Sequence, residues 1–334
     1  MGIFSRLSAW LTPSPPLAEA ERLAIGRAVA AVDPLLKSVP AFERRLAPAL
    51  RCAREHCAEL VAALPGPIDV DVRAFSSDPL VHACFASPAD IDAMFGKSRE
   101  LRDFLADPSG FAANPFYALL GMRRREKNTM GMAMNGDVLQ RDVPQRILYF
   151  TDHTLAAVGD DLPGIRLRLQ QLGVDSLVGS FAARLSGQRR ERDDLRLERE
   201  LERARASARG NSAEGEAHRL RLEAIDEELR RLTEALDPER ILDALAAWLT
   251  EPSAHLRLEQ VSVAVDAMGV EFAALSEGAT VHRLNLDEVH FFELIGRDRR
   301  RWILLLARIN RDAVQRAFEV QLAIEEQASR TLII

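Results

Sequence analysis

Four side chains in the first third of the chain are of the types that hold a transition metal. Cys52 and His56 stand four residues apart and share one face of a helix, while Cys57 beside them points elsewhere. His82 and Cys84 follow after a break, two residues apart. Thiolate and imidazole together suit zinc, so Cys52, His56, His82 and Cys84 form a candidate Cys2His2 site. Their spacing is neither that of a finger nor that of a ribbon. The competing expectation is that the cysteines fill a helical core, where free Cys is common.

A second pair, Asp152 and His153, follows an apolar run that ends at Phe150. Strand ends carry acid–base groups often enough to make this a candidate catalytic pair. An Asp–His pair is only part of a triad, however, and no Ser or Cys nucleophile stands out beside it. Thr-Asp-His-Thr is also ordinary turn and cap chemistry. His290, near Asp287 and Glu288, reads more simply as a residue on a sheet face. Neither a P-loop nor a GxGxxG fingerprint occurs, which argues against nucleotide hydrolysis.

Positive charge gathers twice: Arg123, Arg124 and Arg125 with Lys127, and Arg297 with Arg299, Arg300 and Arg301. The second cluster falls on an expected hairpin turn beside Trp302. A basic turn with an aromatic makes Arg297, Arg299, Arg300 and Arg301 candidate phosphate or nucleic-acid ligands. Glu126 and Asp298 dilute the clusters, and the net charge of -6 excludes a general nucleic-acid coat. The plainer reading is a solvated turn that discourages edge pairing.

The elements that must position these groups are mostly helical. A length of 334 residues suffices for two or three compact units. Three cysteines do not make a disulfide framework, and a reducing cytoplasm is the simplest compartment. Richness in Ala, Leu and Arg suggests a GC-rich bacterial genome. No apolar run reaches the roughly 18 residues that cross a bilayer. Residues 1–16 form an amphipathic segment and a proline linker. Ile3, Phe4, Leu7, Trp10 and Leu11 share a face there, suited to docking on the body, on a partner, or on a membrane surface through residues 3–11.

Residues 17–127 read as a helical region punctuated by prolines. Residues 128–180 read as a small β meander plus a helix, with Asn135-Gly136 as its turn signal. Residues 237–334 read as a C-terminal α+β unit whose strands are expected to join the sheet of 128–150.

Between them, residues 181–236 read as an antiparallel helical hairpin, free of aromatic residues after Phe181 and rich in Arg and Glu. Leu197, Leu201, Ala204 and Ala208 in the first arm, and Leu222, Ile225, Leu229, Leu232 and Leu236 in the second, repeat at a/d spacing. Gly210 suits the end of one arm, and Asn211 with Glu214 the start of the next. Single surface ion pairs contribute only about 0–1 kcal/mol, so the apolar seam must hold the arms together. The alanines make that seam thin, which favours engagement of a further helix.

The expected fold class is α+β, predominantly α-helical: an N-terminal helical region, a modest antiparallel sheet and a projecting coiled-coil hairpin. The expected function is that of a non-enzymatic cytoplasmic scaffold or adaptor, engaging a protein partner or a second copy through Leu197, Leu201, Leu222, Ile225, Leu229 and Leu232. The alternatives are a nucleic-acid-associated accessory protein using Arg297–Arg301, and a metal-binding or hydrolytic enzyme. No cofactor is expected beyond the zinc candidate.

Overall fold

The computed structural model describes residues 18–135, 138–210, 212–265, 270–271, 287–296 and 301–331. In chain order its helices and strands begin with α1 (Glu19–Val32), α2 (Phe42–Ala63), β1 (Ile68–Asp69), α3 (Val72–Ser77), α4 (Pro79–Cys84), α5 (Pro88–Lys97), α6 (Arg99–Ala106) and α7 (Pro108–Phe111). They continue with β2 (Phe116–Asn135), β3 (Val138–Gly159), α8 (Leu162–Arg209), α9 (Ala213–Ala235) and α10 (Pro238–Thr250). The last are β4 (Leu256–Val265), β5 (Val270–Glu271), β6 (Asp287–Gly296), β7 (Arg301–Ile309) and α11 (Arg311–Thr331). The fold is α+β and predominantly helical. Among the described residues no helix is long and apolar enough to cross a membrane.

Prolines and short acidic caps set many of these boundaries. Asp71, Asp78 and Asp237 each accept a hydrogen bond from a backbone N–H of the turn they precede. Pro79, Pro88 and Pro238 open their helices, where a missing N–H costs nothing.

The chain divides into two compact units. The first contains the described parts of Met1–Glu55 together with Val174–Pro252. Its core is helical: Ile25, Val29, Leu46, Leu50, Leu177, Phe181, Leu242 and Leu245 are all buried. Trp248 sits among them, its indole N–H donating to the Leu177 carbonyl at 3.1 Å and its ring meeting Phe181 edge-on at 5.7 Å. A buried Trp keeps such a donor satisfied, because an unpaired N–H in an apolar core is expensive.

The second unit contains His56–Gly173 and Ser253–Ile334, and holds the sheet. Strand order is β1-β7-β2-β3-β5-β4-β6, with β6 also paired to β7. The antiparallel pairings therefore run in a closed circuit, and β1 adds to β7 in parallel. Among the described residues, Val270 and Glu271 of β5 close the circuit, pairing with Ile147 and Arg146 of β3 and, at Glu271, with Val265 of β4. Phe116, Ala118, Leu120 and Met122 alternate inward along β2, and Ile303, Leu305, Ala307 and Ile309 do so along β7. Phe150 and Phe291 meet across this core at 4.9 Å. The other face of β7 is covered at Leu306 by Val61, Leu64, Ile165 and Leu169. Cover on both faces explains why residues 303–307 of β7 form an unbroken apolar run.

Helix α11 crosses α5 at Gly96. A Cβ there would lie 2.9 Å from that of Gln321 and 3.0 Å from the Ala317 carbonyl oxygen. Only a residue without a side chain lets the two backbones come so near.

Two expectations need correction. The region 17–127 is not helical throughout, because Phe116–Lys127 opens a strand of 20 residues. Its inward residues alternate at period two and the basic cluster that follows hides the pattern. Helix and hairpin are also not separate in 162–209, which form one helix of 48 residues. The chain around Asn135-Gly136 pairs Asn135 with Val138, and residues 136–137 lie outside the described residues.

Candidate functional site

The cysteines and histidines of the zinc candidate have other occupations. Cys52 Sγ lies 3.4 Å from the Thr250 carbonyl oxygen. His56 Nε2 lies 2.7 Å from the Leu256 carbonyl oxygen, and His82 Nδ1 lies 3.2 Å from that of Phe75. Cys84 is buried in the sheet core, and burial pushes its thiol far above the ordinary value. Cys57, pushed up to about 11 by burial, packs against Gly173, where a Cβ would come within 2.9 Å of its sulfur. Among the described residues no group of three or more His, Cys, Asp or Glu side chains is placed to hold a metal ion. Cys52, His56, His82 and Cys84 do not converge, because each is drawn to a nearby carbonyl or to an apolar core.

Asp152 and His153 are adjacent in sequence and part company in space. Between the pairs Gly121↔Thr154 and Arg123↔Thr151 a bulge sets both residues opposite Met122 alone, with Asp152 in the left-handed region at φ 57°. Asp152 Oδ2 lies 3.8 Å from Arg123 Nε and 3.9 Å from an Arg125 guanidinium nitrogen. His153 stacks on Phe85 at 4.6 Å, and its Nε2 lies 2.7 Å from the Cys84 carbonyl oxygen. A carbonyl only accepts, so Nε2 carries the proton. His153 also lines a cleft of about 410 Å³ with Asp90, Lys97, Ser98 and Glu100. Each half of the proposed acid–base pair has its own partner, and the pair itself does not form.

A Ser–His contact that the sequence does not advertise joins Ser262 Oγ to His290 Nδ1 at 2.7 Å. The two residues are directly opposite in the β4–β6 ladder and both are exposed. This is an ordinary cross-strand hydrogen bond. Of the second basic cluster, Arg297, Arg299 and Arg300 lie outside the described residues. Arg301 is held at 3.1 Å by the buried carboxylate of Glu293. Residues 3–11 also lie outside the described residues.

The hairpin carries the remaining candidates. Helix α8 ends at Arg209, and Gly210 follows in the left-handed region at φ 54°. Helix α9 is capped by Ser212, whose Oγ accepts from the Gly215 N–H at 3.1 Å. Asn211, the expected cap, lies outside the described residues, and Glu214 pairs with Arg209 at 2.5 Å.

In the second arm the expected seam residues Ile225, Leu229 and Leu232 are buried, with Leu222 half-buried. In the first arm Leu197 and Leu201 are 65% and 51% exposed. The inward positions there are Arg192, Leu195, Arg199, Glu202 and Ala206. They continue, by threes and fours, the buried stripe of Val174, Leu177, Phe181 and Leu185. One uninterrupted helix carries its phase from the buried half into the arm. Two residues from the expected positions turns the helix by about 200°, to the opposite side.

The resulting seam is half polar. Glu202 is 1% exposed. Its Oε2 accepts from His218 Nδ1 at 2.6 Å and its Oε1 from Arg205 at 2.5 Å. The hydrogen bond from His218, and then that from Arg205, holds its carboxyl below the usual carboxylate range. Arg221 reaches Glu198 across the arms at 2.9 Å, and Arg199 reaches Asp226 at 3.7 Å. Arg199 Nε is buried and finds no hydrogen-bond partner among the described residues. Comparison of the chain with protein-family models, with curated proteins and with solved structures gave no match.

Proposed function

We propose that the protein is a non-enzymatic scaffold or adaptor that engages a partner helix, or a second copy of itself, through the outer face of the α8 arm. The observation that carries this reading is the exposure of Leu197 and Leu201, one turn apart on the side of the arm away from its seam. Large apolar side chains at i and i+4 make a stripe of the kind that packs into another helix. A short coiled-coil contact of this type adds a third helix to a pair whose own seam is half polar. Three free cysteines, two of them buried, suit a reducing cytoplasm, and the Ala-Leu-Arg composition suits a bacterial source.

The test is a double substitution, Leu197→Arg with Leu201→Arg. Charge on an exposed face leaves the fold intact, so helicity by circular dichroism should not change. Association, read by light scattering across a concentration range and by affinity capture from the native cell, should be lost. The same oligomeric state and the same captured proteins in both forms would defeat the proposal.

A further inference from the structure

We propose that the outer face of the β2–β3–β7 sheet binds single-stranded nucleic acid, through residues other than the Arg297–Arg301 turn. The face begins under helical cover and leaves it. Tyr117, Leu119 and Leu304 pack beneath Val61, Leu64, Ile165 and Leu169. Continuing along β2 in steps of two, the same face carries Gly121, Arg123, Arg125 and Lys127. Three cations thus stand in one row, about 6.8 Å apart at 3.4 Å per residue, a spacing that follows the phosphates of an extended strand.

Aromatic surface lies alongside. Residues directly opposite in an antiparallel pair share a face, so Tyr149, opposite Arg125, belongs to this row and is 41% exposed. Trp302 lies at its inner end, with its Cε3 3.6 Å from where a Gly121 Cβ would stand. The Arg123 guanidinium rests over the Trp302 ring at 5.0 Å. A guanidinium held flat on an indole is itself a plane on which a base stacks, and bases also stack on tyrosine. Arg124 and Glu126 oppose Phe150 and Leu148, whose side chains enter the core, and so they belong to the other face.

Among the described residues, the carboxylate of Asp152 contests the row. Asp152 stands 3.8 and 3.9 Å from Arg123 and Arg125, and is 52% exposed in its side chain. Ion pairs that long and that wet are weak, and a phosphate can take the place of the carboxylate. The overall charge of -6 keeps the attraction local to this face. Exposed base faces are needed for stacking, which selects a single strand over a duplex.

The experiment uses the full chain and a fluorescein-labelled oligothymidylate, with anisotropy read at rising salt. Binding is expected at low ionic strength and should weaken steeply as salt rises. Lys127→Ala should weaken it severalfold and reduce the log–log salt slope by about 0.7. Tyr149→Ala should weaken it about tenfold, and Tyr149→Phe, which keeps the ring, should restore most of that loss. Asp152→Asn should tighten it about two- to fivefold. The exposed positions of Lys127 and Tyr149 leave the thermal midpoint as a check on folding in every variant.

Several results would overturn the inference. These are no salt-sensitive binding, unchanged affinity in Lys127→Ala, and duplex bound as tightly as single strand. A face that binds polyglutamate as well as the oligonucleotide, with no response to Tyr149→Ala, would be a generic anion site and equally fatal to it.

Discussion

Glu202 shows how one residue can decide the character of an element. A carboxylate 1% exposed between two helices is tolerable only because His218 and Arg205 both donate to it. The sign of its pH effect follows from its depressed acidity in the folded state. A carboxylate with a lowered folded value stabilises above the unfolded value, about pH 4.3, and loses that stabilisation as pH falls through the folded value. The hairpin tip is therefore expected to loosen on acidification below that value. Hydrogen exchange of the amides around 202 and 218, followed from neutral to acidic pH, should show protection falling in the wild type. Glu202→Gln should start less protected and respond less to pH. Equal pH responses in the two proteins would assign the acid sensitivity to other groups. Arg209, Glu214, Glu216 and Arg219 are exposed partners around the same turn, but ion pairs at such positions contribute little.

At the scale of the element, the hairpin separates what is readable from spacing from what is not. Its existence, its turn near Gly210 and the apolar seam of α9 follow from patterns of Gly, Ser and Leu. The phase of α8 does not follow from its leucines. Leu197 and Leu201 form the better heptad on paper, yet the phase is inherited from Val174, Leu177, Phe181 and Leu185 further up the same helix. A helix cannot change phase without a break, and neither Gly179 nor Gly187 breaks this one. The consequence is measurable in urea. Ile225→Ala, in the true seam, should cost about 2–4 kcal/mol of hairpin stability. Leu197→Ala should stay within about 0.5 kcal/mol, as exposed substitutions do. A large loss at Leu197 that does not vary with protein concentration would place that side chain in the seam after all. The bulge at Asp152 was equally hidden. A run such as Thr-Asp-His-Thr carries no periodic sign of the residue that steps out of register, and with it goes the apparent Asp–His pair.

On the scale of the whole molecule, the sheet is assembled from two sequence segments separated by Val174–Pro252. Strands β2 and β3 precede that stretch, β4 to β7 follow it, and β7 lies against β2 over seven paired positions. Such pairing is non-local and cannot be deduced from either segment alone; only the alternation within each strand is visible in advance. The stretch between is itself uneven. Arg189 pairs with the buried carboxylate of Asp33, and Phe181, Leu185, Ile241, Leu245 and Trp248 are core residues. Residues 190–229 contribute none of these. Their removal, with a short Gly-Ser join, should therefore leave both cores standing while most of the hairpin's helical signal disappears. None of the three tryptophans is lost, so the emission spectrum and near-ultraviolet dichroism report directly on the remaining packing. A cooperative thermal transition with an unshifted emission maximum is the expected result. A red-shifted emission with loss of near-ultraviolet signal would mean that the arms support the core, since Trp248 would then have been exposed by their removal. The same shortened chain should keep the salt-sensitive nucleic-acid binding of the sheet face while losing helix-mediated association, because the residues of the two surfaces belong to different units.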